Sequence, residues 1–266
     1  MITQTKLAFP AVYGPVDSWR YGRSLGIDPI GMISSCSFNC VYCQLGEIEK
    51  LSSDRSLFVS TAEIITDLQV FTPWNVDLIT LSGSGEPTLA LNLGEIISQI
   101  KQLTKKPVLV LTNGSLLNQI TVRKELALAD LVSVKLDGIS PEKLQRINRP
   151  VADLNWSNIW EGIKQFRFEY QGFFSIQTMV LSVWDQATLE QYFELIKILK
   201  PDEIQLNTPG RPKPLKRQLD GRGNHTVKEF REYEVRLLKC VSLEKIQDLA
   251  MKIEQETEIK VRYKKY

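Results

Sequence analysis

The chain has 266 residues, 43% of them hydrophobic and 24% charged, with 5 Trp, 8 Tyr and 10 Phe, a composition that excludes a disordered or coiled-coil chain and supplies a core without disulfide staples. Its 33 basic and 31 acidic residues leave a formal charge of +2, too balanced for the one-sided electrostatics of a general nucleic-acid binder. No window has the apolar length of a membrane span and the N-terminal stretch has no signal-peptide core, so a cytoplasmic protein is expected.

In chain order, a lead-in precedes the first expected strand at 26–35, which runs into three clustered cysteines, Cys36, Cys40 and Cys43. A helix at 61–70 follows, signalled by Ser60 and Thr61 ahead of Glu63. Strands are then expected at 76–83, 107–113, 131–138, 173–181 and 203–209, as short β-branched runs. Between them, apolar residues at i, i+3 and i+4 predict helices near 93–104, 116–129, 154–169 and 187–199, the third opened by Asp153. Such alternation predicts a parallel sheet with right-handed crossovers and helices outside. Residues 209–225, dense in Pro, Gly, Lys and Arg, predict an exposed basic loop; a helix near 242–256 and a strand at 258–266 close the chain. The expected organisation is a core with its lead-in over 1–210, and the basic loop with a helix-strand extension packed on it over 211–266.

Polar residues gather at the carboxyl ends of the expected strands, where parallel α/β folds carry their chemistry. The cysteine cluster there has three readings. A zinc site takes four ligands, and the chain offers neither a second CxxC nor a histidine other than His225. A redox pair would use Cys40 and Cys43 and leave Cys36 unexplained. An iron–sulfur cluster on three thiolates leaves one iron open.

The spacing CxxxCxxC after the first strand, in "SSCSFNCVYCQLG", resembles the radical S-adenosylmethionine (SAM) superfamily. The resemblance implies a partial (β/α)6 TIM-like barrel, and a [4Fe-4S] cluster on Cys36, Cys40 and Cys43 whose fourth iron is chelated by SAM. It places Tyr42 against the adenine. The segment "SGSGEPTL" at 82–89 resembles that family's GGEP motif, with Ser84 in place of the first glycine. Ser84, Gly85 and Glu86 would then receive the methionyl ammonium, small residues for close approach and a carboxylate for charge balance. Asn113, in "LTNG", either borders the ligand or makes an Asx turn.

Ser133, Lys135 and Asp137 share one strand face, expected to look into the barrel. Buried polar groups need partners, so Lys135 and Asp137 meet SAM, substrate or each other, and Gln177 and Asn207 follow the same logic; Met179 is expected in the core. Residues 13–46 resemble a branch related to the wyosine-forming tRNA-modifying enzymes, although this chain lacks the extra N-terminal cysteines of that group. That resemblance implies a tRNA nucleoside as substrate; a small metabolite or peptide is the alternative, and a cluster protein without turnover is a third reading.

Arg20 and Arg23 form an expected anion site near the cluster loop. Arg211, with Lys213, Lys216, Arg217 and Arg222, is expected to meet an RNA backbone or an anionic small substrate, or to be solvated surface. Cys240 is expected to be a buried small hydrophobe in a helix. The chemistry implied by the resemblance calls for an electron donor such as flavodoxin or ferredoxin.

Overall fold

The computed structural model describes residues 9–223 and 230–264; His225 lies outside them. Eight strands form one sheet in chain order: β1 (Val12–Ser18), β2 (Gly22–Ile27), β3 (Leu78–Leu81), β4 (Val108–Thr112), β5 (Leu131–Lys135), β6 (Phe173–Met179), β7 (Glu203–Asn207) and β8 (Val261–Tyr263). Every neighbouring pair is parallel except β1 with β2. The helices are α1 (Thr61–Gln69), α2 (Leu93–Thr104), α3 (Ile120–Leu126), α4 (Pro141–Ile147), α5 (Trp156–Glu169), α6 (Gln186–Leu199) and α7 (Leu243–Thr257). Among the described residues no helix is long and apolar enough to cross a membrane.

The period-two alternation of the strands separates core from interior. Ile79, Leu81, Val108, Val110, Val132, Val134, Phe174, Ile176, Ile204 and Leu206 belong to one buried cluster with Ile96, Ile100, Val122, Ile163, Phe166 and Ile196 of the covering helices. Each such side chain contributes roughly 1.5–3 kcal/mol by leaving water. On β5–β8 the intervening positions are polar and in register: Ser133, Ser175 and Glu203 form one row across β5–β7, and Lys135, Gln177, Gln205 and Arg262 form the next across β5–β8.

The two ends of the sheet are brought together by the β1–β2 turn. Arg262 of β8 donates to the Arg20 carbonyl at 2.9 Å and the Trp19 carbonyl at 2.6 Å. Tyr21 Oη lies 2.9 Å from Ser175 Oγ and accepts from Gln205 Nε2 at 2.8 Å. The sheet is therefore a curled, partial barrel whose open side is bridged by Trp19–Tyr21, at the amino ends of the parallel strands.

Several boundaries differ from expectation. The first parallel strand ends at Ile27, not 35, because the Asp28 carboxylate accepts from the amides of Ile30 (3.0 Å) and Gly31 (3.2 Å) and turns the chain. Ser35–Cys36 pairs only with Lys50–Leu51. The antiparallel edge strand β1 and the short helix α4, capped by Ser140 with Pro141 at its first position, were not expected. Helix α5 is capped by Asn155; Asp153 instead accepts from Ser53 at 2.5 Å.

Candidate active site at the cysteine loop

The loops after β2, β3, β4 and β5 meet over the carboxyl ends of the strands. The cysteine loop is pinned by backbone alone on one side: Asn39 N–H donates to Arg149 at 3.1 Å, Val41 N–H to Ile147 at 2.9 Å, and Val151 N–H to Ser37 at 2.9 Å. On the other, Glu86 N–H donates to the Ser35 carbonyl at 3.1 Å. A Cβ on Gly85 would lie 1.6 Å from that same carbonyl oxygen, so glycine is required for the β3 loop to press against the cysteine loop.

Cys36, Cys40 and Cys43 are all partly exposed free thiols. Burial pushes their pKa values up, Cys40 to about 12. Two side-chain amides aim at the sulfurs: Asn113 Nδ2 is 3.6 Å from Cys36 Sγ, and Asn148 Nδ2 is 3.4 Å from Cys40 Sγ. The Phe38 amide also donates to Cys36 at 3.4 Å. Cys43 is flanked by the charges of Lys213, Arg217 and Lys135, each of which favours its thiolate. Among the described residues no three His, Cys, Asp or Glu side chains converge on one metal ion. A cluster whose irons each take a different thiolate has no need of that convergence. Three thiols met by N–H donors and cations thus fit an anionic polynuclear group and disfavour a single zinc.

Glu86 sits at this loop, but both of its oxygens are engaged. Oε1 accepts from Thr112 Oγ1 (2.6 Å), Thr88 Oγ1 (2.8 Å) and the Thr88 amide (3.1 Å), and Oε2 from the Asn113 amide (2.7 Å). Burial raises its pKa against those bonds. Glu86 thereby locks the β3 loop to the end of β4 and holds Asn113 toward Cys36. Asn113 Oδ1 meanwhile accepts from Ser115 N–H at 2.9 Å, an Asx turn, so the turn and the sulfur contact coexist. Ser84 is fully buried; it donates to Asp28 at 2.6 Å and accepts from Arg217 Nη2 at 2.7 Å.

Beyond β5, the Asp137 carboxylate accepts from Tyr42 Oη, from Asn148 Nδ2 at 3.1 Å and from the Met179 amide at 2.7 Å. Lys135 Nζ lies 3.6 Å from Asp137 and 5.0 Å from the Tyr42 ring centroid. Lys135 and Asp137 thus meet each other, and through Tyr42 and Asn148 they border Cys40. Gln177 is nearly buried with its Nε2 unpartnered. Asn207 caps the Thr208 amide at 3.0 Å, and Met179 is half-buried on the polar face, not in the core.

The basic segment corrects its expectation. Far from an exposed loop, it folds inward: the Gln218 amide donates to Leu45 at 3.0 Å, and a Cβ on Gly46 (φ 90°) would meet the Lys216 carbonyl at 2.4 Å. The Arg222 and Arg217 side chains are 6% and 9% exposed because Asp28, Ser84 and Glu49 receive them. Arg211 Nη1 donates to Gln44 Oε1 beside Cys43. Arg20 belongs to the turn at the amino ends of the strands, with its charge felt by Arg211, which reaches Gln44 of the cysteine loop, while Arg23 is exposed on β2. Cys240 is exposed in a loop, its thiol 3.9 Å from the Leu238 carbonyl, and it lines a cavity of about 340 Å³ with Arg211; the helix begins only at Leu243.

Sequence reasoning missed Asn148, Asp28 and the inward role of Arg217. Asn148 was findable in part, since "SPEKLQRINRP" carries an N-cap serine, a first-turn proline and a terminating Pro150 that leave Asn148 as the C-cap.

Comparison with known proteins agrees with this geometry. The model of the radical SAM superfamily matches residues 30–196. A UPF0026 protein of Synechocystis sp. is 61% identical over 254 residues, covering 96% of each chain. A radical SAM methyltransferase from Sphaerobacter thermophilus shares the fold with a TM-score of 0.61 at 13% identity, over 92% of this chain and 67% of that one. Native anSMEcpe with bound AdoMet aligns with a TM-score of 0.57 at 16% identity, over 91% of this chain and 63% of its own.

Proposed function

Because the chain belongs to the radical SAM superfamily, a family of enzymes, we propose that it binds a [4Fe-4S] cluster and SAM at the cysteine loop and abstracts hydrogen from an organic substrate in the barrel interior. When bound, the two groups together supply reductive cleavage of SAM to methionine and a 5′-deoxyadenosyl radical. The observation that carries this reading is the sulfur environment, with Cys36, Cys40 and Cys43 free and Asn113 and Asn148 donating to two of them. Hydrogen bonds to cluster sulfurs are a recognised control on potential.

The remaining roles belong to residues of the chain. Glu86 and Gly85 hold the β3 loop at the distance the cysteine loop allows. Tyr42, Lys135 and Asp137 line the ligand side of Cys40, and Gln177 and Asn207 line the interior beyond. Residues 211–223 cover the loop and exclude water that would quench a radical. An electron donor of flavodoxin or ferredoxin type completes the cycle. A tRNA nucleoside substrate rests on the sequence resemblance alone, and inward folding of Arg217 and Arg222 takes two cations from any surface that would meet an RNA backbone.

The test is anaerobic reconstitution with iron and sulfide, followed by SAM and dithionite. Four irons per chain, a change in the cluster's EPR spectrum on adding SAM, and release of 5′-deoxyadenosine are expected. An intact cluster that neither responds to SAM nor yields the nucleoside would sink the reading.

A further inference from the structure

The interior below the cysteine loop is polar, and most of its charges are matched. Lys135 faces Asp137 at 3.6 Å, and Arg262 faces Glu203 at 3.5 Å while bonding two carbonyls. Arg20 is different. Its guanidinium stacks on the Trp19 ring at 5.3 Å, it has no carboxylate or carbonyl partner among the described residues, and its Nε is buried without a hydrogen bond.

Burial lowers the pKa of Arg20, and Arg211 is close enough for the two charges to repel, which with burial pulls Arg211 down to about 10. Two further polar atoms in the same interior are buried and unpartnered: Gln177 Nε2, a donor, and Gln205 Oε1, an acceptor, on adjacent strands in register. In the adjacent row Ser175 bonds both Ser133 and Tyr21, and Tyr21 accepts from Gln205 Nε2, so that chain leaves Gln205 Oε1 and Gln177 Nε2 over. The unsatisfied atoms therefore mark where partners are missing. An arginine kept desolvated beside another cation is disfavoured unless an anion joins it. Guanidinium pairs two-pronged with carboxylate or phosphate.

We propose, resting on the radical SAM reading, that the interior takes a small organic substrate bearing a carboxylate or phosphate, with Arg20 as its anion receptor, Gln177 as a second donor and Gln205 as acceptor for a neighbouring hydroxyl or N–H. The anion anchors at the amino-end side of the barrel, leaving the rest of the molecule to extend toward the cysteine loop. A small molecule is favoured over RNA because Arg20 is enclosed by the Trp19–Tyr21 turn and two of the basic-segment arginines are engaged in buried pairs.

The experiment is calorimetric titration of the anaerobically reconstituted, SAM-loaded protein with inorganic phosphate, acetate and succinate, and separately with a short single-stranded RNA. At least one small anion is expected to bind with one-to-one stoichiometry. R20Q should weaken it about tenfold, the loss of one charge-assisted pair, and R20K should recover part of that loss. Q177A should cost less. In the absence of anion, R20Q should melt at or above wild type, which an arginine with a structural role would not allow.

Equal anion affinity in wild type and R20Q, or binding of RNA alone, would overturn the assignment. So would loss of SAM binding in R20Q, because Arg20 would then serve the methionyl carboxylate. A cluster and SAM site that form normally while no small anion binds sinks the receptor and leaves the radical SAM reading standing. Failure to assemble a four-iron cluster sinks both.

Discussion

Arg222 Nη1 lies 3.1 Å from Oδ2 of Asp28, a carboxylate with no solvent exposure, and the pair joins the basic segment to the end of β2. The guanidinium also sits 4.8 Å from the ring centroids of both Phe9 and Tyr13. Replacing Arg222 by Met removes a charge and keeps the bulk, leaving Asp28 without its direct ion-pair partner. Breaking a buried pair from one side costs about 3–5 kcal/mol. Because Asp28 keeps the Ile30, Gly31 and Ser84 donors, the loss should lie near the lower end. Chemical denaturation of R222M measures it; an unchanged midpoint would mean the pair is energetically idle.

Asn148 donates to both Cys40 and Asp137 from one amide, while its Oδ1 accepts from Gly138 N–H at 3.1 Å. If Cys40 is a cluster ligand, N148A removes a hydrogen bond to its sulfur and should lower the midpoint potential by tens of millivolts. Stability should fall by about 1–3 kcal/mol for the orphaned Gly138 amide, since Asp137 keeps its Tyr42 and Met179 donors. N148D keeps the acceptor and replaces the donor with a charge, so its cluster should be harder still to reduce. Redox titration followed by EPR separates the two effects; a potential unmoved in both variants would refute the sulfur contact.

Much of this arrangement was legible in the sequence, and the gaps have physical causes. Strands β3–β7 showed because their helix-facing positions are apolar and mostly β-branched or aromatic, as with Val132, Val134, Phe174 and Ile176. Strand β1 did not, since Gly14 and Pro15 interrupt it and its exposed edge has no apolar face to repeat. The strand after it was drawn too long because Ile30, Met32 and Ile33 look like a continuation, whereas Asp28 turns the backbone there. Charges in 209–225 read as solvated because their acceptors, Asp28 and Glu49, lie far back in the chain. The cysteines were plain from spacing alone. Of the two amides that reach them, Asn113 stood at an expected strand end, whereas Asn148 did not show, because an asparagine at a helix end is brought to a sulfur only by the fold.

Gly85 gives a local test. The alanine methyl would fall on the Ser35 backbone, which Glu86 N–H already holds at 3.1 Å, so neither side can yield cheaply. G85A should cost about 1–3 kcal/mol as overpacking and displace the β3 loop from the cysteine loop. The expected readout is iron content per chain reduced by more than half, with far-UV circular dichroism unchanged. Full iron loading in G85A would show that the contact has no bearing on the site.

The last prediction concerns removal of the cluster. In zinc-finger-like sites the metal is the folding energy, and the apo chain is unfolded. Here the cysteine loop is fastened by its own backbone: Asn39 and Val41 donate to the 147–149 turn, Val151 donates back to Ser37, and Ser52 donates to the Cys36 carbonyl at 3.0 Å. Its far end is clamped by Gln218 on Leu45 and by Lys216 over Gly46. None of these bonds uses a cysteine sulfur. Chelation under air should therefore lower the melting temperature, through loss of a ligand that binds only the native state, while leaving the loop in place. Hydrogen exchange decides the matter: the Asn39, Val41 and Val151 amides should stay protected in the apo protein. If they exchange at the rate of an open loop, the cluster organises its own site and the fold does not prepare it in advance.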